Sequence, residues 1–485
     1  MDAQEKWYIH KNRQDYQVFY DQLTFIDRQT LSDSMIIRDE LLSALDGAVE
    51  WGYHHTKADC SGLSPGCRHC GSGTWSCLFI NGVCNANCFY CPTPQDQEDQ
   101  PTTQTVTFTD VEDYMLYLKR FGYKGVSISG GEPLLTFEKT LHFITRIREE
   151  MGSDIYFWMY TNGILLDEEK LKALRHAGLD ELRLDIGATG YRTHKAEMAL
   201  QWIDRVTVEI PAVPEELDRL KQLLHHFDAI GLSHLNLHQI RCTPHNYKKL
   251  VERGYTFLHG PQITVMESEL TALRLMQYAA ERGLQTPVNY CSSIYKYRYQ
   301  RRAARKRYAP FIAHPYEEIT ETGMIRSLAV EGDVYSLERI MHDFEQNAID
   351  PGDYYRPEKS AKIYFRKNLW NRIDFTNLEL KVSYARSFLL PRLSYRNMFK
   401  EVELRPGKSV VIERAPVFKD YSLRGEEIQW FEKAFISKTL TMEELEKLCG
   451  VRDVSEPRQL NGFSGEMIAR LYECEQLGRG LPGYF

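Results

Sequence analysis

The 485-residue chain contains no apolar run approaching 18 residues, so no membrane-spanning helix is expected. Its first residues, MDAQEKWYIHKNRQDY, lack the apolar h-region of a secretory signal. The expectation is a cytoplasmic protein without a membrane partner. Positive charge is not in excess: the formal net charge is −7, with 26% charged and 43% apolar residues. That balance excludes a surface built throughout for polyanions and leaves room only for a local basic patch. No low-complexity segment is present, and nothing repeats beyond the strand–helix units described below. The length suits two or three domains with full cores.

Cysteine is what the chain does have. There are eleven, and seven of them fall between Cys60 and Cys91. An odd total, clustered in a large chain without a visible leader, argues against a disulfide framework and for metal ligation.

A rhythm of short apolar runs carries the fold. They occur at TWSCLFING, GVSISGGEP, IYFWMYTNG, ELRLDIGA, VTVEIPAVP and HLNLHQIRC, separated by amphipathic stretches such as EELDRLKQLLHHFDAIG. Six strand–helix units at this spacing predict an α/β fold with a parallel sheet, open or closed into a barrel. Chemistry in such folds collects at the C-terminal ends of the strands. Ahead of them, DYQVFYDQLTFIDR and IIRDELLSALDGAVEWG read as helices, the second stopping near Gly52. Residues 60–77 read as an irregular segment shaped by its ligands. Residues 315–415 alternate weakly and predict a small β-rich unit, and 425–485 read as two or three short helices.

Cys84, Cys88 and Cys91 form a C-x3-C-x2-C frame on the loop after the first strand. A structural zinc ion takes four ligands, usually from two knuckles. An iron–sulfur cluster can be fixed through three irons and keep the fourth open to a small molecule. A zinc knuckle completed by a distant residue is the alternative that spacing alone leaves. After the second strand comes SGGEP. The backbone of Ser129, Gly130 and Gly131, together with Glu132, can bind an amino-acid ammonium, with glycine permitting close approach and Pro133 fixing the exit.

With these two motifs in this order, the chain resembles the radical S-adenosylmethionine superfamily over residues 76 to about 242. The resemblance implies a partial (β/α)6 barrel flanked by an N-terminal helical and Cys-rich extension and a C-terminal α+β extension. It implies that Cys84, Cys88 and Cys91 ligate a [4Fe–4S] cluster whose open iron is chelated by S-adenosylmethionine. Ser129, Gly130, Gly131 and Glu132 would hold the methionyl ammonium, and Phe89 or Tyr90 would lie near the adenine. Tyr160 and Asn162, in YTNG, would line the cofactor. Glu209, in VEIP, sits where the family contacts ribose or adenine, or is a carboxylate paired on the barrel rim.

Within the superfamily the chain resembles a group related to pyruvate formate-lyase activating enzyme. The likeness runs through CRHCGSGTWSCLFINGVC, FYCP, AGLDELRLD, VEIPAVP, LNLHQI, ERGY and NYCSSIYKYRYQRRAARKR, to about residue 308. It departs at the sixth strand, where the group's acidic residues give way to His238–Arg241, and this leaves the substrate open. The implied chemistry is reductive cleavage of S-adenosylmethionine to a 5′-deoxyadenosyl radical that takes hydrogen from an unactivated C–H bond. An electron donor of flavodoxin or ferredoxin type would supply the reducing electron.

Cys60, Cys67, Cys70 and Cys77 form a second frame, C-x6-C-x2-C-x6-C, which matches one tetrahedral zinc site or one further iron–sulfur cluster. Cys77 can instead be a buried strand residue. Cys242, Cys291, Cys449 and Cys474 read as core, with Cys291 notable for opening the next motif. That motif, residues 291–308, holds seven Lys/Arg and no acid. It is either a helix face packed on the barrel, with its stems covering apolar surface, or a clamp for an anionic substrate, an acidic peptide or RNA.

The expected organisation is therefore 1–59 helical extension, 60–77 four-Cys segment, 78–310 catalytic core and 311–485 accessory domain. The leading reading is a radical enzyme acting on a protein, peptide or other large substrate. The alternatives are an RNA-modifying enzyme of the same superfamily and a non-catalytic, zinc-stabilised RNA-binding module.

Overall fold

The computed structural model describes residues 3–97, 100–358, 360–440, 444 and 465–485. The chain divides into two compact units. One comprises Tyr8–Arg301, Leu404–Lys408 and Arg479–Phe485; the other comprises Met1–Trp7, Arg302–Glu403 and Ser409–Gly478.

The first unit is organised on seven parallel strands: β1 (Trp75–Phe79), β2 (Gly125–Ser129), β3 (Tyr156–Thr161), β4 (Glu181–Leu184), β5 (Arg205–Pro211), β6 (His234–His238) and β7 (Val288–Cys291). They lie side by side in chain order, without the reversal that marks a doubly wound sheet. The helices between them include Val111–Arg120, Phe137–Met151, Glu168–Ala177, Leu217–Ala229 and Met266–Glu281. Unreversed order with crossovers of one hand puts the helices on one face, and the sheet curls away from them. β1 and β7 do not pair. β1 is bordered by Thr102–Thr103 and β7 by Lys57–Ala58, both antiparallel, so the barrel is partial. Six of the parallel strands are those the apolar runs announce; β7 is an addition.

Helix starts follow the capping residues. Asp27 accepts the Thr30 N–H before Arg28–Leu45, and Asp167 accepts the Lys170 N–H before Glu168–Ala177. Arg28–Leu45 ends short of Gly52. The Cys-rich stretch is not irregular. Ser64 caps a helix, α1 (Pro65–Ser72), which Gly73 ends in the left-handed region. α1 packs on the inner face at the N-terminal ends of β1, β2 and β3, where His69 stacks on Tyr156. A Cβ on Gly66 would lie 2.5 Å from the Arg183 guanidinium, so glycine is needed there for α1 to seat inside the barrel. α1 thus closes the lower end.

The second unit holds an eight-stranded sheet whose strand Ile325–Glu331 runs antiparallel to both Lys362–Phe365 and Glu379–Leu390. Its core includes Val330, Phe344, Phe365, Leu380, Phe431 and Leu471. Within it Arg326 is buried against Glu475, which also accepts the Tyr384 hydroxyl. Of the expected tail helices, Glu426–Phe431 and Gly465–Glu475 are present. The intervening part of that expectation, with Cys449, lies outside the described residues. Cys242, Cys291 and Cys474 are buried, as core cysteines are.

Candidate active site

A cavity of about 530 Å³ opens at the C-terminal ends of the strands. Cys84, Cys88 and Cys91 line it from the loop after β1; Ser129, Gly130 and Gly131 line it from the end of β2. Tyr160 and Asn162 follow from β3, Tyr90 from the cysteine loop, and Glu209 from β5.

The two glycines of SGGEP have a role the sequence does not announce. Gly131 donates its N–H to Asn81 O at 3.2 Å, and Glu132 donates its own to Val83 O at 2.7 Å. These bonds dock the second-strand loop edge-on against the root of the cysteine loop. A Cβ on Gly131 would lie 1.9 Å from Val83 O, and one on Gly130, whose φ is +138°, would lie 2.4 Å from Asn81 O. The close approach is first to protein backbone. Asn81 completes the joint by donating to Glu132 O at 2.9 Å and Thr136 Oγ1 at 2.8 Å.

Glu132 departs from expectation. Its side chain is fully buried and does not line the cavity. The carboxylate accepts from Leu134 N, Thr161 Oγ1 and Asn162 N at 2.7–2.9 Å. It is a cap that ties the ends of β2 and β3 together, turned away from the cavity. Burial outweighs these three bonds and raises its pKa. Of the expected ammonium-binding set, Ser129, Gly130 and Gly131 remain on the cavity wall.

Phe89 and Tyr90 separate. Phe89 packs in an apolar cluster with the Arg253 guanidinium 3.6 Å from its ring centroid. Tyr90 faces the cavity and donates its hydroxyl to both Asp185 oxygens, at 2.9 and 3.0 Å. Burial pushes the Asp185 carboxyl up to about 6, against the hydrogen bond from Tyr90. Asp185 was not among the expected residues. The available signal was a carboxylate in LRLDIGA at the C-terminal end of a barrel strand.

Glu209 is both things the sequence allowed: paired, and on the cavity wall. It accepts from Arg183 at 2.7 Å and Asn236 at 3.0 Å, and contacts His238 Nε2 at 2.6 Å. Burial acts to raise its pKa, but Arg183 and then His238 outweigh it and hold the carboxyl well below the usual range. Lys296 donates to His238 Nδ1. An ammonium only donates, so Nδ1 accepts, and the proton on Nε2 is given to Glu209. Burial, with Lys296, pushes the His238 pKa down to about 4. Lys296 comes from the basic motif, as do Gln300 and Arg301 on the same wall. Arg298 instead donates to Gly480 O, and Arg302 and Arg305 donate to the carbonyls of Glu321 and Thr322. Five of the seven basic residues of the motif, Lys296, Arg298, Arg301, Arg302 and Arg305, thus serve the cavity or internal carbonyls, while Lys306 is exposed.

A family model described as the radical SAM superfamily matches residues 78–206. A protein of Methanocaldococcus jannaschii, named as a candidate glycyl-radical enzyme activating enzyme, is 31% identical over 301 residues, covering 59% of this chain and 79% of that protein. The chain belongs to the radical SAM superfamily. A GTP 3′,8-cyclase of Rhodopirellula baltica is 32% identical over 143 residues, 28% of this chain and 38% of the cyclase. The solved structure of SuiB of Streptococcus suis bound to its precursor peptide SuiA superposes with a TM-score of 0.36 at 11% identity, over 50% of this chain and 52% of SuiB.

As a radical SAM enzyme the protein uses a [4Fe–4S] cluster and S-adenosylmethionine. The cysteine loop fits the cluster. Backbone and amide N–H groups already point at sulfur: Ala86 N to Cys84 at 3.4 Å, Asn162 Nδ2 to Cys84 at 3.6 Å and Gln95 Nε2 to Cys91 at 2.9 Å. Such donors set the charge balance of a ligated thiolate. Free of metal, the Cys88 thiol holds its proton: burial, then Asp185, push it up to about 12.

Cys60, Cys67, Cys70 and Cys77, expected to hold zinc or a further iron–sulfur cluster, show no single-ion geometry, and the cluster-loop cysteines show none either. Among the described residues no three metal-binding side chains converge on one ion. Cys77 sits on β1 beside Ser127 and Ser129, and Cys70 acts electrostatically on Cys77 and is acted on by Cys291 of β7.

Proposed function

We propose that the enzyme generates a radical on a protein or peptide substrate, with Cys84, Cys88 and Cys91 holding its cluster. The observation that carries this reading is the convergence of the three cysteines, the SGG backbone and the β3 loop on one cavity wall. The activating-enzyme name of the M. jannaschii relative, matched over most of its length, supports a protein substrate. The bound cluster and S-adenosylmethionine supply a 5′-deoxyadenosyl radical that abstracts hydrogen.

The chain's own residues do the rest. Ser129, Gly130 and Gly131 line the cavity, and the backbone there would receive the methionyl ammonium. Tyr90, with its hydroxyl fixed on Asp185, offers its ring to the adenine. Asn162 is anchored through Asn85 Oδ1 at 2.7 Å and holds the cluster loop against β3. Lys296, His238 and Glu209 form a fixed hydrogen-bonded row on the opposite wall, positioned to orient polar groups of the substrate. The RNA reading keeps part of its support, because Arg301 and Lys306 of the basic motif are exposed while Lys296, Arg298, Arg302 and Arg305 are engaged within the protein.

Anaerobically purified, reconstituted enzyme mixed with dithionite and S-adenosylmethionine is expected to release 5′-deoxyadenosine and methionine. Cys88→Ala is expected to abolish the release. Unchanged release in that variant rejects the ligand assignment. Deuterium transfer into 5′-deoxyadenosine from a labelled proteome fraction, and not from labelled RNA, tests the substrate class.

A further inference from the structure

Among the described residues Lys57 is the one buried lysine, with 1% of its surface exposed. Among the described residues no carboxylate lies within salt-bridge distance of its ammonium. Nζ donates to Asn289 Oδ1 at 2.5 Å and lies 4.7 Å from the centroid of the Tyr295 ring. A buried cation with only an amide and an aromatic face lacks a counter-charge, which is costly.

Four thiols surround it. Cys291 is its cross-strand partner in the antiparallel pair with β7. Cys60 Sγ lies 3.4 Å from the Lys57 carbonyl oxygen. Cys70 Sγ accepts from Tyr295, the same tyrosine that covers the ammonium, and from Gln300 at 3.1 Å. Cys67 Sγ accepts from Asn236 at 3.5 Å, and Asn236 is the register neighbour of Asn289.

We infer that Cys60, Cys67, Cys70 and Cys291 ligate a second iron–sulfur cluster, with Lys57 as its buried counter-charge. Four sulfur ligands select a soft metal. The thiols do not converge on a single ion, and neither do Cys84, Cys88 and Cys91. A cluster takes its thiolates at separate irons, so that spread suits a cluster and not zinc. A tetrathiolate cluster carries net negative charge, which the ammonium offsets. Donors already aimed at Cys67 and Cys70 from Arg183, Asn236, Tyr295 and Gln300 are those a ligated thiolate needs. The set replaces Cys77 of the sequence frame with a residue from the far end of the chain's sheet. This assignment goes beyond the proposed function and stands whether or not that reading holds.

The test uses the full chain carrying Cys84→Ala, Cys88→Ala and Cys91→Ala, reconstituted anaerobically with ferrous iron and sulfide. Iron and acid-labile sulfide are expected at about four each per chain. Adding Cys291→Ser or Cys60→Ser is expected to remove most of both, and adding Cys77→Ser to leave them in place. Melting temperatures of the Cys77 and Cys291 variants, compared before reconstitution, separate loss of ligation from loss of folding; Cys60, which is only half-buried, is the variant that keeps the test open if Cys291→Ser fails to fold. No iron in the triple variant, zinc in place of iron, or loss caused by Cys77→Ser and not by the Cys291 and Cys60 variants overturns the assignment.

Discussion

Gly131 and Val83 are in backbone contact so close that a methyl group on Gly131 would stand 1.9 Å from the Val83 carbonyl oxygen. The pair is the joint between the cysteine loop and the second-strand loop. Gly131→Ala is expected to spring it, at a cost on the order of 1–3 kcal/mol for forced overpacking. Release of 5′-deoxyadenosine after reconstitution should fall by well over half, with the far-ultraviolet circular dichroism unchanged. Full release in this variant contradicts the joint's role.

Glu132 gives a second measurement. Removing its carboxylate in Glu132→Ala strands three buried donors at Leu134, Thr161 and Asn162. The expected destabilisation is on the order of 3 kcal/mol or more, read by denaturant unfolding. Glu132→Gln keeps two acceptor lone pairs and should cost clearly less. If Glu132 served only to bind an ammonium, neither change would alter stability in the absence of S-adenosylmethionine.

Arg183 is buried between Glu181 at 2.8 Å and Glu209 at 2.7 Å. Arg183→Met leaves both carboxylates inside the barrel without their cation, and a loss of about 3–5 kcal/mol is expected. Adding Glu209→Gln should recover part of that loss, since it removes one of the orphaned charges. Strict additivity of the two changes in a double-mutant cycle contradicts the coupling.

These cases show what was legible. The regular spacing of short strand-like runs between amphipathic stretches set out six strands, because strands alternating with helices build a parallel sheet. The cysteine loop was legible from spacing, and its position followed from strand direction. The interior was not. Arg183, Glu181 and Asn236 lie on strands whose patterns look like ordinary alternation, and no local rule reveals that they meet. β7 was missed because VNYC is short, with a polar residue inside. Glu132 misled because a carboxylate in a glycine turn reads alike whether it faces a ligand or caps a neighbouring strand.

His259 supplies a pH dependence. It stacks on Phe25, with 3.9 Å between centroids, and burial, then Arg13, push its pKa down from 6.5 to about 4. In that interval the unfolded chain binds the proton and the folded one does not. Its contribution is therefore present above pH 6.5 and declines as the pH falls toward 4. The melting temperature should drop across this window, and less steeply in His259→Gln. Equal slopes in the two proteins contradict the assignment.

The helix Pro65–Ser72, seated by Gly66 beneath Arg183, makes the barrel a blind well. No polymer can be threaded through it from end to end. Whatever enters such a well by its mouth has to leave by the same mouth, so a long substrate would present a projecting group, a bend or an end to the cavity.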